Sequence, residues 1–195
     1  MLKKTKVAVM VSGGGTNLQA IIDAQKSGII TSGEIALVVS NKADAYALQR
    51  AADNGIATYV MTSEEVLIEK LQSEGIELVV LAGFLKILSP AFTRAFENRI
   101  INIHPSLIPS FCGKGAYGLH VHEMALEYGV KVTGATVHFV NEIPDGGAII
   151  YQKAVDILDG DTPEVLQKRV MEQAEWVLLP RAVEEISAKI GRGEL

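Results

Sequence analysis

The sequence predicts an α/β fold, in which a mostly parallel sheet is flanked by helices and ends in an antiparallel C-terminal strand pair. Short β-branched runs alternate with segments of helical apolar spacing, which is the pattern of βαβ units. After residue 130 two strand-like runs are separated by a turn too short for a crossover helix. Because 48% of the 195 residues are hydrophobic, we expect one ordinary core and a single domain over 1–195.

Five strands are predicted in the first part of the chain, and helices are expected between them. Because helices join parallel strands, they should cover both faces of the sheet. The predicted strands are Val7–Ser12, Ile35–Ser40, Thr58–Val60, Leu78–Leu81 and Ile100–His104. The clearest helical spacing lies in Leu18–Ile22, Tyr46–Ala52 and Val66–Leu71.

The last third of the chain changes pattern. Val132–Val140 and Ala148–Ala154 are strand-like, and the short connection between them predicts antiparallel pairing. The final segment opens at Thr162 and Pro163, a good helix start, and continues with apolar residues at four-residue intervals. Pro180 should kink or divide this helix because proline lacks the N–H that a helix interior needs.

Composition and charge exclude several classes of protein. Eighteen basic and 23 acidic side chains give a net charge of −5. The sequence has no run of Lys or Arg that would neutralise phosphates, so we expect no nucleic-acid partner. No apolar run approaches the roughly 18 residues of a membrane span, and Val7–Val11 is too short for a signal peptide. Cys112 is the only cysteine. We therefore expect a cytoplasmic protein without a membrane partner.

A glycine-rich turn, Ser12–Asn17, lies between the first strand and the first helix. Exposed backbone N–H groups and a helix N-terminus there would suit a phosphate. Leu18 stands where a dinucleotide fingerprint requires glycine, and no Lys or Arg lies nearby, so a single monophosphate is favoured. The alternative is an ordinary turn in which Thr16 or Asn17 caps the helix.

Asn102 and His104 alternate at the end of a central strand, so both side chains point to the same side. This position lies over the usual ligand crevice of an α/β sheet. An amide can hold a carbonyl oxygen there while an imidazolium stabilises developing negative charge. The alternative is a hydrogen-bonded strand end that Pro105 terminates.

Asp145 lies in a Pro-Asp-Gly sequence, which by itself indicates a turn residue. If the fold brings Asp145 close to His104, its carboxylate would orient the imidazole, raise the pKa of the ring and help to relay a proton. The role of Asp145 therefore depends on its distance from His104.

The remaining histidines and the cysteine give no second site. His120, His122 and His138 have no acidic or thiol partner at zinc-ligand spacing, so we expect no metal. Nothing in the sequence shows a lowered pKa for Cys112, which we interpret as a loop residue.

Taken together, five stretches resemble the folate-dependent phosphoribosylglycinamide formyltransferase family of purine biosynthesis over essentially the whole chain. The resemblance implies a Rossmann-like formyltransferase fold, with the ribonucleotide on the N-terminal half and the folate on the C-terminal half. It also implies formyl transfer from 10-formyltetrahydrofolate to glycinamide ribonucleotide. The stretches are Ser12–Leu18, Leu81–Pro90, Asn102–Pro109, Thr136–Val140 and Asp145–Gly147.

The resemblance also implies roles for particular residues. It assigns a catalytic triad of Asn102, His104 and Asp145. It assigns the ribonucleotide to Gly15, Thr16, Asn17, Glu172 and Glu175. It assigns the folate to Leu85, Lys86, Ile87, Leu88, Asn102, Asn141, Glu142, Ile143, Pro144 and Asp145.

The mechanism expected from these roles is direct attack of the amine on the formyl carbon, since no well-placed Ser or Cys indicates an acyl-enzyme. Asn102 and a protonated His104 would stabilise the oxyanion, and Asp145 would keep His104 charged. The expected partners are the two small substrates, and the protein is expected to be a monomer or a homodimer.

Three departures from the family pattern stand out. Lys86 replaces an arginine beside the folate pocket and lacks its planar fork. The segment 60–78 is shorter than in many relatives and holds no arginine. The loop 112–118 is longer than usual and adds Lys114, which could reach an anion or remain solvated.

Two other functions remain open at this point. A methionyl-tRNA formyltransferase domain would share the Asn102, His104 and Asp145 elements, but the phosphate loop and the absence of a basic surface argue against it. A nucleotide-binding Rossmann module would explain the α/β pattern but leave those three residues without a role.

Overall fold

Seven strands form one sheet in the computed structural model, which describes residues 4–195. Their bounds agree with the predicted strands to within two residues at each end. The strands are β1 (Thr5–Val11), β2 (Gly33–Ser40), β3 (Ala57–Val60), β4 (Leu78–Leu81), β5 (Ile100–His104), β6 (Val132–Phe139) and β7 (Ile149–Asp156).

The strand order is β3-β2-β1-β4-β5-β6-β7. The first five strands pair in parallel, whereas β6 pairs antiparallel with both β5 and β7. The predicted mostly parallel sheet with an antiparallel C-terminal strand pair is therefore confirmed. The carboxyl ends of β1, β4 and β5 meet at one edge of the sheet, which is where such folds bind ligands.

Seven α-helices cover the sheet in the described part of the chain. Three of them lie where helical spacing predicts them, whereas the fourth and fifth were not predicted. The helices are α1 (Thr16–Lys26), α2 (Tyr46–Asp53), α3 (Glu64–Ser73), α4 (Pro90–Ala95), α5 (Leu119–Tyr128), α6 (Pro163–Val170) and α7 (Trp176–Gly191).

The C-terminal helical segment is divided, but not at Pro180. The break is a π-helical turn at Met171–Glu175, and Pro180 lies inside α7. A proline ring presses on the carbonyl four residues earlier, which here belongs to Trp176 at the junction between the π turn and α7. The predicted division at Pro180 was therefore wrong in its position, and the kink predicted there stays a prediction.

The two faces of the sheet bury separate apolar clusters, and β1 contributes to both. Val7, Val9 and Val11 pack with α1, α2, α6 and α7 on one face. Ala8 and Met10 pack with α3 and α4 on the other face. Since successive strand residues point to opposite faces, β1 is buried on both sides, as a parallel central strand requires. Among residues 4–195, no helix combines the length and apolarity needed to cross a membrane.

Candidate active site

A cavity of about 580 Å³ opens at the carboxyl edge of the sheet. Its walls come from the segments that follow β4 and β5, from the loop 113–118, from the residues after β6, and from α1 and the π turn. This is the crevice position that the sequence analysis assigned to Asn102 and His104, and both residues line the cavity.

The structure brings Asp145 to His104. Nδ1 of His104 lies 3.8 Å from Oδ1 of Asp145, and both side chains are largely buried. Asp145 has a φ of 55°, a left-handed conformation that aspartate tolerates at turns. The turn residue indicated by the local sequence is thus also a neighbour of the histidine on β5.

His138 lies inside this cluster, a position that the sequence analysis missed. It pairs directly opposite Asn102 across β5 and β6, and its Nε2 lies 3.1 Å from Nδ2 of Asn102. Its Nδ1 lies 2.7 Å from the carbonyl of Phe139, which can only accept a hydrogen bond. Nδ1 of His138 therefore donates to this carbonyl, and the contact between its Nε2 and the Asn102 amide fixes the orientation of that amide.

One hydrogen bond and two histidine rings surround the carboxyl group of Asp145. Burial alone would raise its pKa, but His138, His104 and the backbone N–H of Gly113 together lower the pKa below its usual value. The Gly113 N–H donates to Oδ2 at 2.8 Å, and Nε2 of His138 lies 3.5 Å from Oδ1. Asp145 is therefore ionised at neutral pH and ties the loop 105–118 to β5 and β6.

His104 does not have the charge that the sequence analysis expected. Its burial lowers the pKa below the usual value, and this effect outweighs the nearby Asp145, which raises it. Its Nε2 donates to the carbonyl of Phe111 at 2.9 Å, so the unprotonated nitrogen of the neutral ring is Nδ1, facing Asp145. The expected protonated imidazole is corrected to a neutral one beside a carboxylate that can stabilise a proton when it arrives.

A third buried histidine lines the same cavity. His122 of α5 has no measurable exposure, and neither ring nitrogen has a hydrogen-bond partner among residues 4–195. Burial, with a further contribution from His104, lowers its pKa to about 4. His122 therefore remains neutral and offers one donor and one acceptor toward the cavity.

From Gly13 onward, the glycine-rich turn has backbone N–H groups without an acceptor among the described residues. Gly15 is the N-cap of α1 with a φ of 75°, and no acceptor within residues 4–195 meets the N–H groups from Gly13 to Leu18. Neither Thr16 nor Asn17 caps the helix, because Thr16 contacts the sulfur of Met171 and Asn17 donates to Glu175. A row of unpaired N–H groups at a helix N-terminus suits an anion.

A positively charged side chain lies beside this turn, although no Lys or Arg is close to it in the sequence. Arg50 of α2 donates from Nε to the carbonyl of Gly14 at 2.8 Å. It was missed because 34 positions separate Arg50 from Thr16, and only the docking of α2 against the turn brings them together. A basic residue on the exposed side of a predicted helix carries no sequence signal of that contact.

The two glutamates assigned to the ribonucleotide lie in different surroundings. Glu175 lines the cavity, is 6% exposed and accepts from Nδ2 of Asn17 at 2.6 Å. Burial raises its pKa to about 7, although the hydrogen bond from Asn17 opposes this shift. Glu172 is exposed outside the cavity and lies 3.8 Å from Nζ of Lys168. The π turn presents Met171 and Glu175 to the cavity instead.

Most residues assigned to the folate line the same cavity. Leu85, Lys86, Ile87 and Leu88 do so, as do Asn141, Pro144 and the loop residue Lys114. Two assigned residues lie outside its lining, because Glu142 pairs with Arg94 at 2.8 Å and Ile143 is mostly exposed.

Lys86 is paired rather than free. Its Nζ lies 3.2 Å from Oε1 of Glu64, a buried carboxylate that also accepts from the N–H of Ser89 at 2.9 Å. Glu64 belongs to the segment 60–78, which holds no arginine. This segment thus supplies an acidic partner to Lys86, which replaces the arginine of the family. Among the described residues, no three His, Cys, Asp or Glu side chains cluster in a way that could hold a metal ion.

Comparison with known proteins gives a consistent result. Residues 5–183 match the formyl transferase family. Phosphoribosylglycinamide formyltransferase of Haemophilus influenzae is 44% identical over 91% of this chain and 85% of its own length. The trifunctional purine biosynthetic protein adenosine-3 of Gallus gallus is 45% identical, and this chain spans 19% of that protein. The chain spans 62% of the chloroplastic phosphoribosylglycinamide formyltransferase of Arabidopsis thaliana.

Solved structures agree over nearly the whole chain. Glycinamide ribonucleotide transformylase 1 from Symbiobacterium toebii has a TM-score of 0.88 and 42% identity, covering 95% of this chain and 88% of that one. Phosphoribosylglycinamide formyltransferase from Bacillus halodurans has a TM-score of 0.85 and 37% identity, covering 95% and 97%.

The buried Glu175 predicts a pH-dependent stability. Because its pKa rises from 4.5 to about 7 on folding, the native state loses stability as pH rises through that interval and reaches a constant deficit above it. Glu175→Gln should remove this deficit, raising the free energy of unfolding by roughly 3 kcal/mol at pH 8 and by little at pH 4.5. Urea unfolding of both proteins at the two pH values measures it, and an equal effect at both would contradict it.

The neutral His104 predicts a particular titration. In a ligand-free NMR titration, its ring should show a pKa below 6.5. Asp145→Asn should lower that pKa further, because the charge that raises it has been removed. His104→Ala identifies the resonance. An unchanged or higher pKa in Asp145→Asn would show that Asp145 does not act on the ring.

Proposed function

This chain belongs to the formyl transferase family, and we propose that it transfers the formyl group of 10-formyltetrahydrofolate to the amine of 5-phosphoribosylglycinamide in purine biosynthesis. The observation that carries the proposal is the arrangement of one cavity. Asn17, at the start of the helix that follows a turn with unpaired N–H groups, lines this cavity together with apolar side chains and with Asn102, His104 and Asp145.

The acceptor fits the end of the cavity near α1. The N–H groups of the glycine-rich turn would bind its phosphate, as helix N-termini bind anions. Glu175 and the unpaired Oδ1 of Asn17 would accept hydrogen bonds from the ribose hydroxyls. Asn17 and Glu175 line the cavity, whereas Gly15 and Thr16 lie outside its lining and would act through the backbone of the turn. The exposed Glu172, also outside the lining, gets no contact with the ribonucleotide in this arrangement.

The folate fits the opposite end. Leu85, Ile87 and Leu88 give this wall an apolar surface, which suits the flat aromatic part of a folate. Asn141 and Pro144, which precede Asp145 in the chain, also line the cavity. The donor supplies the formyl carbon and leaves as tetrahydrofolate.

Asn102 and His104 would act on the formyl oxygen. His138 holds one N–H of the Asn102 amide, which leaves the second N–H free to donate to that oxygen as negative charge develops. The substrate amine attacks the formyl carbon directly, and holding the two reactants together supplies much of the rate. No acyl-enzyme is needed, since Cys112 has a raised pKa and is a poor nucleophile.

The neutral ring of His104 would accept the proton that the amine loses after attack. Asp145 lies beside the imidazolium formed in this way and stabilises it, so the positive ring can face the oxyanion. His104 then returns the proton to the folate nitrogen as the carbon–nitrogen bond breaks. Each turnover moves one proton from the acceptor amine to the donor nitrogen and restores the neutral ring.

The two alternatives explain fewer observations. A methionyl-tRNA formyltransferase would not need the free N–H groups beside Asn17, and four of the five relatives described above are named for phosphoribosylglycinamide or glycinamide ribonucleotide. A nucleotide-binding module leaves the buried cluster around Asp145 without a role. The cytoplasmic location and the monomeric or homodimeric state stay predictions.

The test is an assay with 10-formyltetrahydrofolate and 5-phosphoribosylglycinamide. Tetrahydrofolate should be released only when both substrates are present, and NAD should give no complex in a parallel titration. Release of tetrahydrofolate with the donor alone, or transfer to methionyl-tRNA instead, would overturn the proposal.

The catalytic assignment predicts the effect of two substitutions. His104→Ala and Asp145→Asn should each reduce kcat by roughly 10²-fold or more, the scale for losing an electrostatic catalyst. Asparagine tolerates the left-handed backbone of position 145, so the fold should be kept.

A matched control is His120→Ala. His120 is exposed, pairs with Glu123 and does not line the cavity, so its loss should leave kcat unchanged. Near-normal turnover of either the His104 or the Asp145 variant would remove that residue from the mechanism.

A further inference from the structure

Helix α2 is tied to the glycine-rich turn by two hydrogen bonds. The backbone N–H of Ala47 donates to the carbonyl of Gly13 at 3.0 Å. Nε of Arg50 donates to the carbonyl of Gly14 at 2.8 Å. Both bonds end on consecutive peptide groups of the turn, so α2 fixes the rotation of each of those groups.

The direction of these carbonyls sets the direction of the N–H groups. In a trans peptide the C=O and the N–H point to opposite sides. Because the carbonyls of Gly13 and Gly14 point toward α2, the N–H groups of Gly14 and Gly15 point away from it. Neither N–H has an acceptor among residues 4–195, although both are strong donors.

Close packing at Gly15 makes this arrangement rigid. A Cβ at position 15 would lie 2.6 Å from Cβ and 2.9 Å from Cα of Ala47, closer than such atoms approach. Gly15 also has a φ of 75°, which favours glycine. The turn can therefore lie directly on the first turn of α2 only because residue 15 has no side chain.

Arg50 is itself held in place. Its NH1 donates to Oε1 of Gln19 at 3.2 Å, and its guanidinium lies 5.1 Å from the centre of the Tyr46 ring. A guanidinium with fixed partners loses less freedom when a ligand binds, and its charge always remains positive. The positive charge consequently stands at a fixed place behind the turn.

We propose that Arg50 is a positioning residue for the phosphomonoester of the acceptor. It holds the carbonyl of Gly14 so that the N–H of Gly15 is directed to the phosphate, and it places a positive charge behind the turn. The proposal rests on the proposed function only for the identity of the acceptor. The chemistry that it requires is a phosphomonoester on a small sugar.

The test compares Arg50→Met and Arg50→Lys with the unchanged protein, with ribose 5-phosphate as the probe in calorimetry. Arg50→Met removes both the hydrogen bond and the charge, so affinity should fall roughly 10-fold or more, the scale of one charge-assisted hydrogen bond. Arg50→Lys keeps the charge but lacks Nε and the fork, so its affinity should lie between the two. Ribose 5-phosphate binding by Arg50→Met within twofold of the unchanged protein would overturn the proposal.

Steady-state kinetics separate positioning from a general structural effect. In Arg50→Met the KM for 5-phosphoribosylglycinamide should rise about as much as the dissociation constant of ribose 5-phosphate, whereas kcat and the KM for the folate should stay the same. Binding of unphosphorylated ribose should not change. An equal loss for the folate, or a fall in kcat alone, would show that Arg50 serves the fold and overturn the proposal.

Arg192→Met is the matched control. Arg192 pairs with Glu194, and its neighbour Gly191 lies against Thr5 at the start of β1, whereas the turn follows the end of β1. The control loses the same charge far from the turn and should bind ribose 5-phosphate normally.

The same experiments distinguish this inference from the proposed function. If the unchanged protein binds ribose 5-phosphate through Arg50 but transfers no formyl group, the function fails and the inference stands. If it transfers the formyl group and Arg50→Met binds ribose 5-phosphate normally, the inference fails and the function stands.

Discussion

A carboxylate that is mostly removed from water needs partners, and the site is arranged around this requirement at Asp145. Its partners come from three places: His104 on β5, His138 on β6 and the backbone of Gly113 in the loop 105–118. The antiparallel pairing of β6 with β5 is what brings His138 opposite Asn102. The orientation of the amide, the charge of the carboxylate and the position of the loop therefore depend on one another.

The ionisable groups that line the cavity differ in charge because burial shifts the pKa of each one differently. It holds His104 and His122 neutral, and it raises the pKa of Glu175, whereas the contacts of Asp145 are strong enough to reverse the same effect. One permanent negative charge thus stands beside neutral rings that can accept a proton. A reaction that moves a proton between two nitrogens needs a neutral ring that can accept the proton. It also needs a negative charge that stabilises the ring once it is protonated.

The alternation of strands and helices, the antiparallel end of the sheet and the cavity at its carboxyl edge could all be predicted from sequence, because hydrophobic periodicity determines them. Long-range geometry could not. His138 became visible only through the register of β5 and β6, and Arg50 only through the docking of α2 on Gly14. Helix α5 was missed because His122 interrupts its buried side and Gly118 precedes it without a capping side chain. The charge of His104 was misjudged because sequence does not show how deeply a side chain is buried.

The hydrogen bond between Asn17 and Glu175 joins residues that are 158 positions apart in the chain. A ribosome adds about 5–20 residues per second, so the glycine-rich turn waits on the order of ten seconds for the residue that completes its wall. During that time α7 is also missing, and the face of β1 that it covers has no partner from the end of the chain. The wall that Asn17 and Glu175 form at the substrate cavity is therefore complete only after residue 175 has been added.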